Sequence, residues 1–479
     1  MSVNKTFVGG AMVLAMELAG ASIAYAGTIT GSSSSPTPSA TSSSTSASSS
    51  NPSPTAAYTA EGNSQWMLGN WGGLRNELQD KGYKFNMTYR NDSAWNAHGG
   101  YNKNKTWEYA DQFAFTLSMD LEKILGIHDA SFVSTITDRN GKDLSAERLI
   151  DTRQGQLGST QNVFGRGNVT RLTQLQFRQK LLDGRLEYSV GRFGPDAFGQ
   201  FTCDFQNLIF CGNSGGNWAG DDWYNFPIGQ WAGSLKYNLL PEWAVQVGVF
   251  EQNPTLLEHK NTFKVSTSGG DGVIVPVELI WSPKKALFGL PAEYRVGGFY
   301  NSANATDLYE GKDGQPQPLT PGGAFKEHSQ RTGWWYVARQ TVGLIDNDPE
   351  RNIEVFSQGF FNDHATGYVA RHYTLGVTIN GPIASRPKDA IGIAVGGLSV
   401  ADDVSKRQRL VNDLNNVSDY DDPRYLPVQG DEYSAEIYYG AKITNWLTLR
   451  PNLQYVVHPG GVNQVDSALV GGLMIRASF

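Results

Sequence analysis

The chain has 479 residues, of which 54 are glycine and 11% are aromatic, and its formal net charge is −7. This acidic balance disfavours nucleic acid as the main partner, because nucleic-acid-binding surfaces are usually basic. No apolar run after the N-terminal region reaches the length of about 18 residues that a membrane-spanning helix needs. A membrane barrel stays compatible with the mean hydropathy of −0.37, since its strands alternate apolar and polar residues.

Residues 1–26 have the features of an export signal. Lys5 gives a positive start, an apolar stretch follows, and Ala24 and Ala26 form a cleavage site with small residues two positions apart. Glu17 interrupts the apolar stretch, so an uncleaved anchor helix is the alternative. We expect cleavage after Ala26 and export of the chain.

Residues 27–60 consist almost entirely of serine, threonine, proline and alanine. Such a composition does not bury enough apolar surface to offset the entropy lost on ordering. The segment is therefore predicted to be a disordered tether in the periplasm. It acts either as a spacer or as a contact to the cell wall, and composition does not separate the two roles.

Residues 61–82 are predicted to contain a short helix. Trp71, Leu74 and Leu78 recur at helical spacing, and Gly82 stands where a C-cap glycine belongs. The period changes to two directly afterwards, so the helix is expected to lead straight into a strand.

Residues 83–479 repeat a two-residue period, with one face apolar and aromatic and the other face small, polar or charged. Segments of roughly 9–12 residues are long enough to cross a bilayer on a tilt. About sixteen of them begin near residues 83, 110, 130, 169, 185, 228, 243, 272, 292, 333, 351, 369, 389, 431, 446 and 466. The predicted fold is all-β, a transmembrane antiparallel β-barrel of about 16 strands with a short N-terminal helix and long extracellular loops.

The connections between these segments favour the barrel. Short turns such as "LLDGR" and "ITNW" alternate with long loops at 193–227, 301–332 and 401–430. Outer-membrane barrels combine short periplasmic turns with long outer loops, so we expect the alternation to be strict. A large soluble all-β protein is the alternative, because its apolar faces would then form the interior.

The stretch "VGGLMIRASF" continues the alternation, with Leu473, Ile475, Ala477 and Phe479 on one face. We expect this strand to pair with its predecessor and with the first strand, which leaves no open edge in lipid. Phe479 is predicted to belong to the aromatic girdle at the periplasmic interface.

Loop 193–227 is the predicted constriction, because its content of Phe, Leu, Ile and Trp is too high for a loop in solvent. Trp218 and Trp223 offer flat faces of the kind that stack on sugars, and Asp221 accepts hydroxyl protons. Alternatively, these aromatic residues only anchor the loop to the barrel wall.

The two cysteines, Cys203 and Cys211, lie in this loop, and export favours a disulfide between them. Two free buried thiols are the alternative. Structural zinc takes four ligands, and the seven histidines show no metal-binding spacing. No metal and no cofactor is therefore expected. No catalytic motif is present, although a serine–histidine–aspartate triad is not excluded by one sequence.

The polar face of the strands is expected to line a water-filled lumen. Its predicted charged lining combines both signs: Arg90, Asp120, Arg178, Glu187, Lys236, Glu278, Arg295, Glu436, Lys442 and Arg450. For any one of these residues, a solvated wall position is the alternative to a substrate contact. Mixed donors and acceptors suit neutral polyhydroxy solutes better than inorganic ions of one sign.

Four stretches carry a family resemblance: "NWGGLRNELQDKGYKF", "LEYSVGRF", "LRPNLQYVVHPGG" and "GGLMIRASF". Over about residues 65–479 the chain resembles the carbohydrate-selective outer-membrane porins of the OprB type. Asn70 stands where the opening motif of that family has Asp, and the tether is not part of the pattern. The resemblance implies a sixteen-stranded barrel for passive, selective diffusion of sugars, narrowed by inward-folded loops and lined by arginine and acidic residues.

Eight residues are predicted to contact sugar at the constriction. The resemblance implies four that match positions on or next to family-like strands: Arg90, Arg178, Glu187 and Arg192. The chemistry of the loop side chains adds four more: Asp196, Trp218, Asp221 and Trp223.

The predicted function is passive diffusion of glucose-like monosaccharides and related carbohydrates across the outer membrane, without catalysis. The expected partners are the sugars, outer-membrane lipid and lipopolysaccharide, and the barrel-assembly machinery, whose recognition of a strand ending in Phe479 the class resemblance implies. A monomer and a homotrimer are both open. The alternatives are a non-selective porin, a barrel enzyme and a structural barrel tethered to the wall.

Overall fold

The computed structural model describes residues 64–213 and 223–479. The predicted signal peptide (1–26) and tether (27–60) lie outside these residues. The strands are β1 (Tyr83–His98), β2 (Trp107–Asp120), β3 (Ala130–Gly141), β4 (Val169–Leu181), β5 (Leu186–Phe193), β6 (Gln200–Phe201), β7 (Gly212–Asn213), β8 (Gln230–Leu240), β9 (Trp243–Gln252), β10 (Gly272–Trp281), β11 (Ala292–Asn301), β12 (Ala305–Gly311), β13 (Phe325–His328), β14 (Arg331–Ile345), β15 (Asp348–Asn362), β16 (Val369–Asn380), β17 (Ala390–Val400), β18 (Asp431–Lys442), β19 (Leu447–Val457) and β20 (Ala468–Ser478).

Sixteen of the strands in the described ranges close into one antiparallel barrel, so the predicted fold class is confirmed. Their order is β1-β2-β3-β4-β5-β8-β9-β10-β11-β14-β15-β16-β17-β18-β19-β20. The remaining strands form two small sheets inside loops, β6 with β7 and β12 with β13. The predicted strand starts lie within three residues of the observed ones, because each strand carries its own alternating signal.

The barrel closes where β20 pairs with β1, as the sequence predicted. Tyr89 lies opposite Ala477 and Arg90 opposite Arg476 in this pairing. The backbone N–H of Phe479 donates to the carbonyl oxygen of Met87 at 2.9 Å. Closure pairs the backbone of β20 on both sides, which is what a strand in lipid requires.

The N-terminal segment packs against the end of β20. The Arg75 guanidinium lies over the rings of Trp66 and Trp71, at 4.2 and 4.3 Å from their centroids. Its Nη2 donates to the main-chain oxygen of Phe479 at 2.7 Å. The helix that carries Arg75 spans Leu74–Asp80, close to the predicted position.

The other helical elements lie in turns and loops. They are helices at Leu121–Leu125 and Asp402–Leu414, a π-type turn at Ser145–Leu149, and 3-10 turns at Trp71–Gly73, Pro254–Leu257, His259–Asn261, Leu287–Gly289, Gln317–Leu319, Pro321–Gly323 and Pro459–Gly461. Within the described part of the chain, no helix combines the length and the apolar character that crossing a membrane requires.

The prediction of strictly alternating connection lengths is wrong in two places. The outer loop 99–106 is shorter than the opposite-end turn 121–129. The outer loop 363–368 is also shorter than the opposite-end turn 381–389. This outer loop is a tight connection in which Gly367 N donates back to Asp363 O at 3.0 Å. Long insertions are therefore confined to a subset of the outer connections.

Candidate functional site

A segment of the loop between β5 and β8 lies inside the barrel, and we call residues 197–211 the constriction loop. Its Phe205 packs on Phe356 and Tyr438 of the inner wall, with ring centroids 5.8 and 4.9 Å apart. Phe201 packs on Phe356 at 4.6 Å. Burial of these aromatic rings against the wall explains why the loop is so apolar.

A disulfide joins Cys203 and Cys211 within the constriction loop. The backbone N–H of Phe205 donates to the sulfur of Cys211 at 3.2 Å. The covalent link and this contact hold the loop in a compact turn inside the lumen.

Buried carboxylates of the barrel accept hydrogen bonds from the backbone of the constriction loop. Glu436 accepts from the N–H groups of Gln206 and Asn207 at 2.8 and 2.7 Å. Glu278 accepts from the N–H of Gly199 at 2.7 Å. These bonds compensate the cost of removing both carboxylates from water and fix the height of the loop in the barrel.

Arginines of the barrel donate to carbonyl oxygens of the same loop. Arg295 donates to Ala197 at 3.2 Å, and Arg339 donates to Thr202. Residues 197–207 of the loop are thus attached at several points to charged residues of the barrel, which we call the charged ring.

One side of the ring, which we call the paired wall, consists of charged residues that form ion pairs with one another. Its members lie on β10, β11, β14 and β15 and are Glu278, Glu293, Arg295, Arg339 and Glu354. Arg295 contacts Glu278 at 3.2 Å and Glu293 at 3.0 Å. Arg339 contacts Glu354 at 3.1 Å.

The other side, which we call the cationic wall, lies on β18, β19, β20 and β1. Its members are Lys442, Arg450, Arg476 and Arg90. Arg450 contacts Asp204 of the constriction loop at 2.8 Å. Burial alone would raise the pKa of Asp204. The surrounding cations, Arg450 foremost, outweigh this effect, so the net shift of the Asp204 pKa is downward.

A cavity of about 550 Å³ lies next to the constriction loop and is lined by residues of several outer loops. Asp196, Phe226 and Arg139 line it, and the Arg139 guanidinium lies 5.7 Å from the Phe226 ring centroid. Asp196 accepts a hydrogen bond from Phe226 N at 3.0 Å. Burial raises the pKa of Asp196 to about 6. We call this cavity the vestibule.

The vestibule is joined to the cationic wall by hydrogen bonds through Asp92. This carboxylate accepts from Arg90 Nε and from Asn162 N, both at 2.8 Å. Asn162 lines the vestibule. The orientation of Arg90 therefore depends on the neighbouring outer loop.

Three of the predicted pore residues share the inward face of the barrel. Arg90 has a side chain that is 23% exposed and pairs with Asp92. Arg178 donates to Gln176 Oε1 at 3.1 and 3.2 Å. Glu187 lies 4.0 Å from Lys180.

Two other predicted residues are buried. Arg192 is 1% exposed and donates to the carbonyl oxygen of Leu172. Trp223 is 0% exposed and packs edge-on against Phe299 and Trp335, at 5.7 and 5.5 Å. This position offers no open ring face and matches the alternative that the aromatic residue anchors the loop.

Trp218 and Asp221 lie outside the described residues, so their sugar contacts stay predictions. Sequence reasoning did not select Asp204 or Arg476 as site residues. Their signals were present, because Asp204 directly follows a loop cysteine and Arg476 occupies a polar position in the alternation of β20.

One group of potential metal ligands lies on the short turn between β2 and β3. Ligand atoms of Glu122, His128 and Asp129 come within 4.8 Å of one another, and all three residues are exposed. The two ring nitrogens of His128 already face these carboxylates, at 3.1 Å from Glu122 and 3.5 Å from Asp129. The group is therefore a surface ion-pair cluster far from the constriction in sequence.

Comparisons with known proteins agree with this architecture. The family described as carbohydrate-selective porin, OprB family, matches residues 104–479. Porin B of Pseudomonas aeruginosa is 51% identical over 429 residues, which is 89% of this chain and 94% of that protein. The putative porin QuiX of Acinetobacter baylyi is 37% identical over 422 residues, which is 87% of this chain and 93% of that protein.

A solved structure shares the fold. The high-pH structure of Pseudomonas putida OprB has a TM-score of 0.85 and 50% sequence identity to this chain. The match covers 87% of this chain and 99% of that one.

Proposed function

Because the chain belongs to the carbohydrate-selective OprB porin family, we propose that glucose-like monosaccharides and related carbohydrates cross its lumen at the charged ring around the constriction loop. The chain is a sugar-selective channel of the Gram-negative outer membrane. The observation that carries the proposed route is the narrowing of the closed barrel by residues 197–211 between two charged walls. Both hydrogen-bond donors and acceptors face the solute there.

The proposed mechanism is exchange of hydration for weak, charged hydrogen bonds. A sugar hydroxyl loses water at the constriction and binds a guanidinium or carboxylate group of the ring. Arg90 and Asp204 are suited to this role, because their side chains are 23% and 41% exposed inside the barrel. Binding stays weak enough for release, so transport saturates without energy input.

We assign different roles to the predicted site residues. Arg90 and Arg178 are proposed as donors and Glu187 as an acceptor, because they share the inward face. Asp196 is proposed to contact sugar in the vestibule. Arg192 and Trp223 are buried, and we propose that they have anchoring roles. Trp218 and Asp221 lie outside the described ranges, and their sugar contacts stay predictions.

Liposome swelling with sugars of increasing size tests the proposal. Arg90→Ala and Arg178→Ala are expected to reduce the preference for glucose over larger sugars while leaving a folded barrel. Arg185→Ala is the matched control, because Arg185 is exposed on a short turn and donates to Tyr237 Oη. Equal selectivity in all four proteins would contradict the proposed donor roles of Arg90 and Arg178.

A non-selective porin is the competing channel function, and it differs by showing no saturation with sugar. We also propose that the solute passes without chemical conversion, since the relatives are named porins. Recovery of glucose unchanged after passage, with no hydrolysis of ester or peptide substrates, tests this point.

The proposed partners besides sugar are lipopolysaccharide and the barrel-assembly machinery. The support for the latter is the position of Phe479 at the barrel closure, where its ring centroid lies 5.8 Å from that of Phe113 on β2. Crosslinking during assembly tests that contact. Light scattering of the detergent-solubilised protein distinguishes the monomer from the homotrimer.

A further inference from the structure

Three members of the cationic wall form one row across neighbouring strands. Lys442 lies opposite Thr448, Thr448 opposite Arg476, and Arg476 opposite Arg90. Residues directly opposite one another in antiparallel strands share a face of the sheet. The row is therefore on the inward face, where Arg90 reaches the carbonyl oxygen of Phe205 at 3.5 Å.

Two cations of this row have no carboxylate partner among the residues that the structure describes. Throughout residues 64–213 and 223–479, no acidic side chain lies within 4.0 Å of Lys442 or Arg476. Lys442 Nζ is 3.4 Å from the hydroxyl of Thr448, and Arg476 is exposed.

The neighbouring acids are engaged elsewhere. Asp92 is held by Arg90 and by the backbone of the adjacent outer loop. Glu436, on the same face of β18 as Lys442, accepts two backbone N–H groups of the constriction loop. Asp204 pairs with Arg450 but keeps 41% of its side chain exposed. The wall thus retains excess positive charge beside one accessible carboxylate.

Like charges that face each other across a sheet reduce its stability, so an anion that binds between them is stabilised. A narrow lumen with low-dielectric walls strengthens that attraction. Hydrogen bonds to a charged group are roughly twice as strong as neutral ones. A solute with one carboxylate and several hydroxyls fits best, because the exposed oxygen atoms of Asp204 accept hydrogen bonds from hydroxyl groups.

We propose that the channel also carries sugars that bear one carboxylate, namely aldonic and uronic acids, and that Lys442 and Arg476 bind the carboxylate. This substrate class adds to the proposed function and rests on it, since both use the same lumen. The uncompensated charge sets the preference for the acid over the neutral sugar of the same size.

Single-channel recordings in planar bilayers test this proposal with gluconate, glucose and acetate as blocking solutes. In the wild-type protein, gluconate is expected to block the current at about tenfold lower concentration than glucose. The double variant Lys442→Gln, Arg476→Gln is expected to lose most of this difference, because gluconate should then block at about the same concentration as glucose. The control Arg185→Gln, Lys285→Gln removes the same charge from exposed short turns and is expected to behave like the wild type.

The outcomes separate this proposal from the sugar channel itself. Block by glucose without preferential block by gluconate overturns the sugar-acid proposal and leaves the sugar channel intact. Block by acetate as strong as that by gluconate also overturns it, because hydroxyl recognition would then be absent. No block by glucose in the wild-type channel contradicts the proposed function as a whole. Open-channel current through the double variant in the absence of solute shows that its barrel is folded and inserted.

Discussion

The two walls of the constriction use charge in different ways. In the paired wall, Glu278 is 0% exposed and Arg295 is 11% exposed, and their charges are matched. In the cationic wall, Lys442 and Arg476 have no acidic partner within the described residues. The ion-paired residues of the paired wall position the constriction loop, whereas the cations without an acidic partner are available to bind a solute.

This difference follows from what each wall contacts. Glu278 accepts from the loop, from Trp335 Nε1 at 2.7 Å and from Gln246 Nε2 at 2.6 Å. Four donors converge on it when the arginine is included. A buried carboxylate with full coordination is costly to disturb, so the paired wall is expected to control stability and the cationic wall to control selectivity.

The largest expected effect comes from Glu278→Ala, which leaves the Arg295 charge buried and partly unpaired. The free energy of unfolding should fall by about 3–5 kcal/mol. Urea unfolding in lipid vesicles measures it. Glu77→Ala breaks the exposed Glu77–Lys81 pair and serves as the control, and an equal loss in both variants would refute the structural role of the paired wall.

Trp223→Ala tests whether this residue anchors the loop on the side of the paired wall. Removing a fully buried tryptophan should cost about 3 kcal/mol in unfolding free energy. Trp223→Phe should cost less, because the contacts with Phe299 and Trp335 are partly kept. Wild-type stability together with lost glucose block would instead show that the ring stacks on sugar.

Asp204→Asn tests the cationic wall without changing the barrel strands. It removes the partner of Arg450 and raises the excess positive charge of the lumen. We expect the ratio of chloride to potassium permeability to rise by about twofold. Reversal potentials in a salt gradient measure this ratio, and an unchanged potential would mean that the cationic wall does not face the ion path.

The smallest expected effect is a pH dependence of the free energy of unfolding that is caused by Asp196. This residue precedes Ala197, whose carbonyl oxygen accepts from Arg295. The folded protein raises the pKa of this carboxyl to about 6 by burial, so the neutral form is the one favoured by folding. The contribution of Asp196 to stability is therefore fully present below the ordinary pKa of an aspartate, and it is lost as the pH rises to about 6. Asp196→Asn should flatten this part of the unfolding curve, and parallel curves for both proteins would contradict the assignment.

The fold was predictable from the sequence because the alternation within each strand shows which side chains face the lumen and which face outward. In β18, Glu432, Ser434 and Glu436 are buried, whereas Tyr433 and Ile437 are exposed, and the alternation is visible in the letters alone. The helix Asp402–Leu414 was missed, because the whole of 401–430 was predicted to be a loop. Acidic residues at a helix start are favoured by the helix dipole.

The site was only partly predictable, because it depends on register and on the path of one loop. Lys442, Arg476 and Arg90 lie far apart in the chain, and they form a row only through the pairing of β18, β19, β20 and β1. The sequence showed both signs along the lumen but not their separation into two walls. The burial of Trp223 likewise depends on its packing against Phe299 of β11 and Trp335 of β14.

The most direct test of the different roles of the two walls is a crystal structure of the protein with gluconate bound. The carboxylate is expected within hydrogen-bonding distance, about 2.7–2.9 Å, of Lys442 Nζ and the Arg476 guanidinium. A hydroxyl is expected on Asp204. A carboxylate bound at Arg295 or Arg339 of the paired wall would contradict the account.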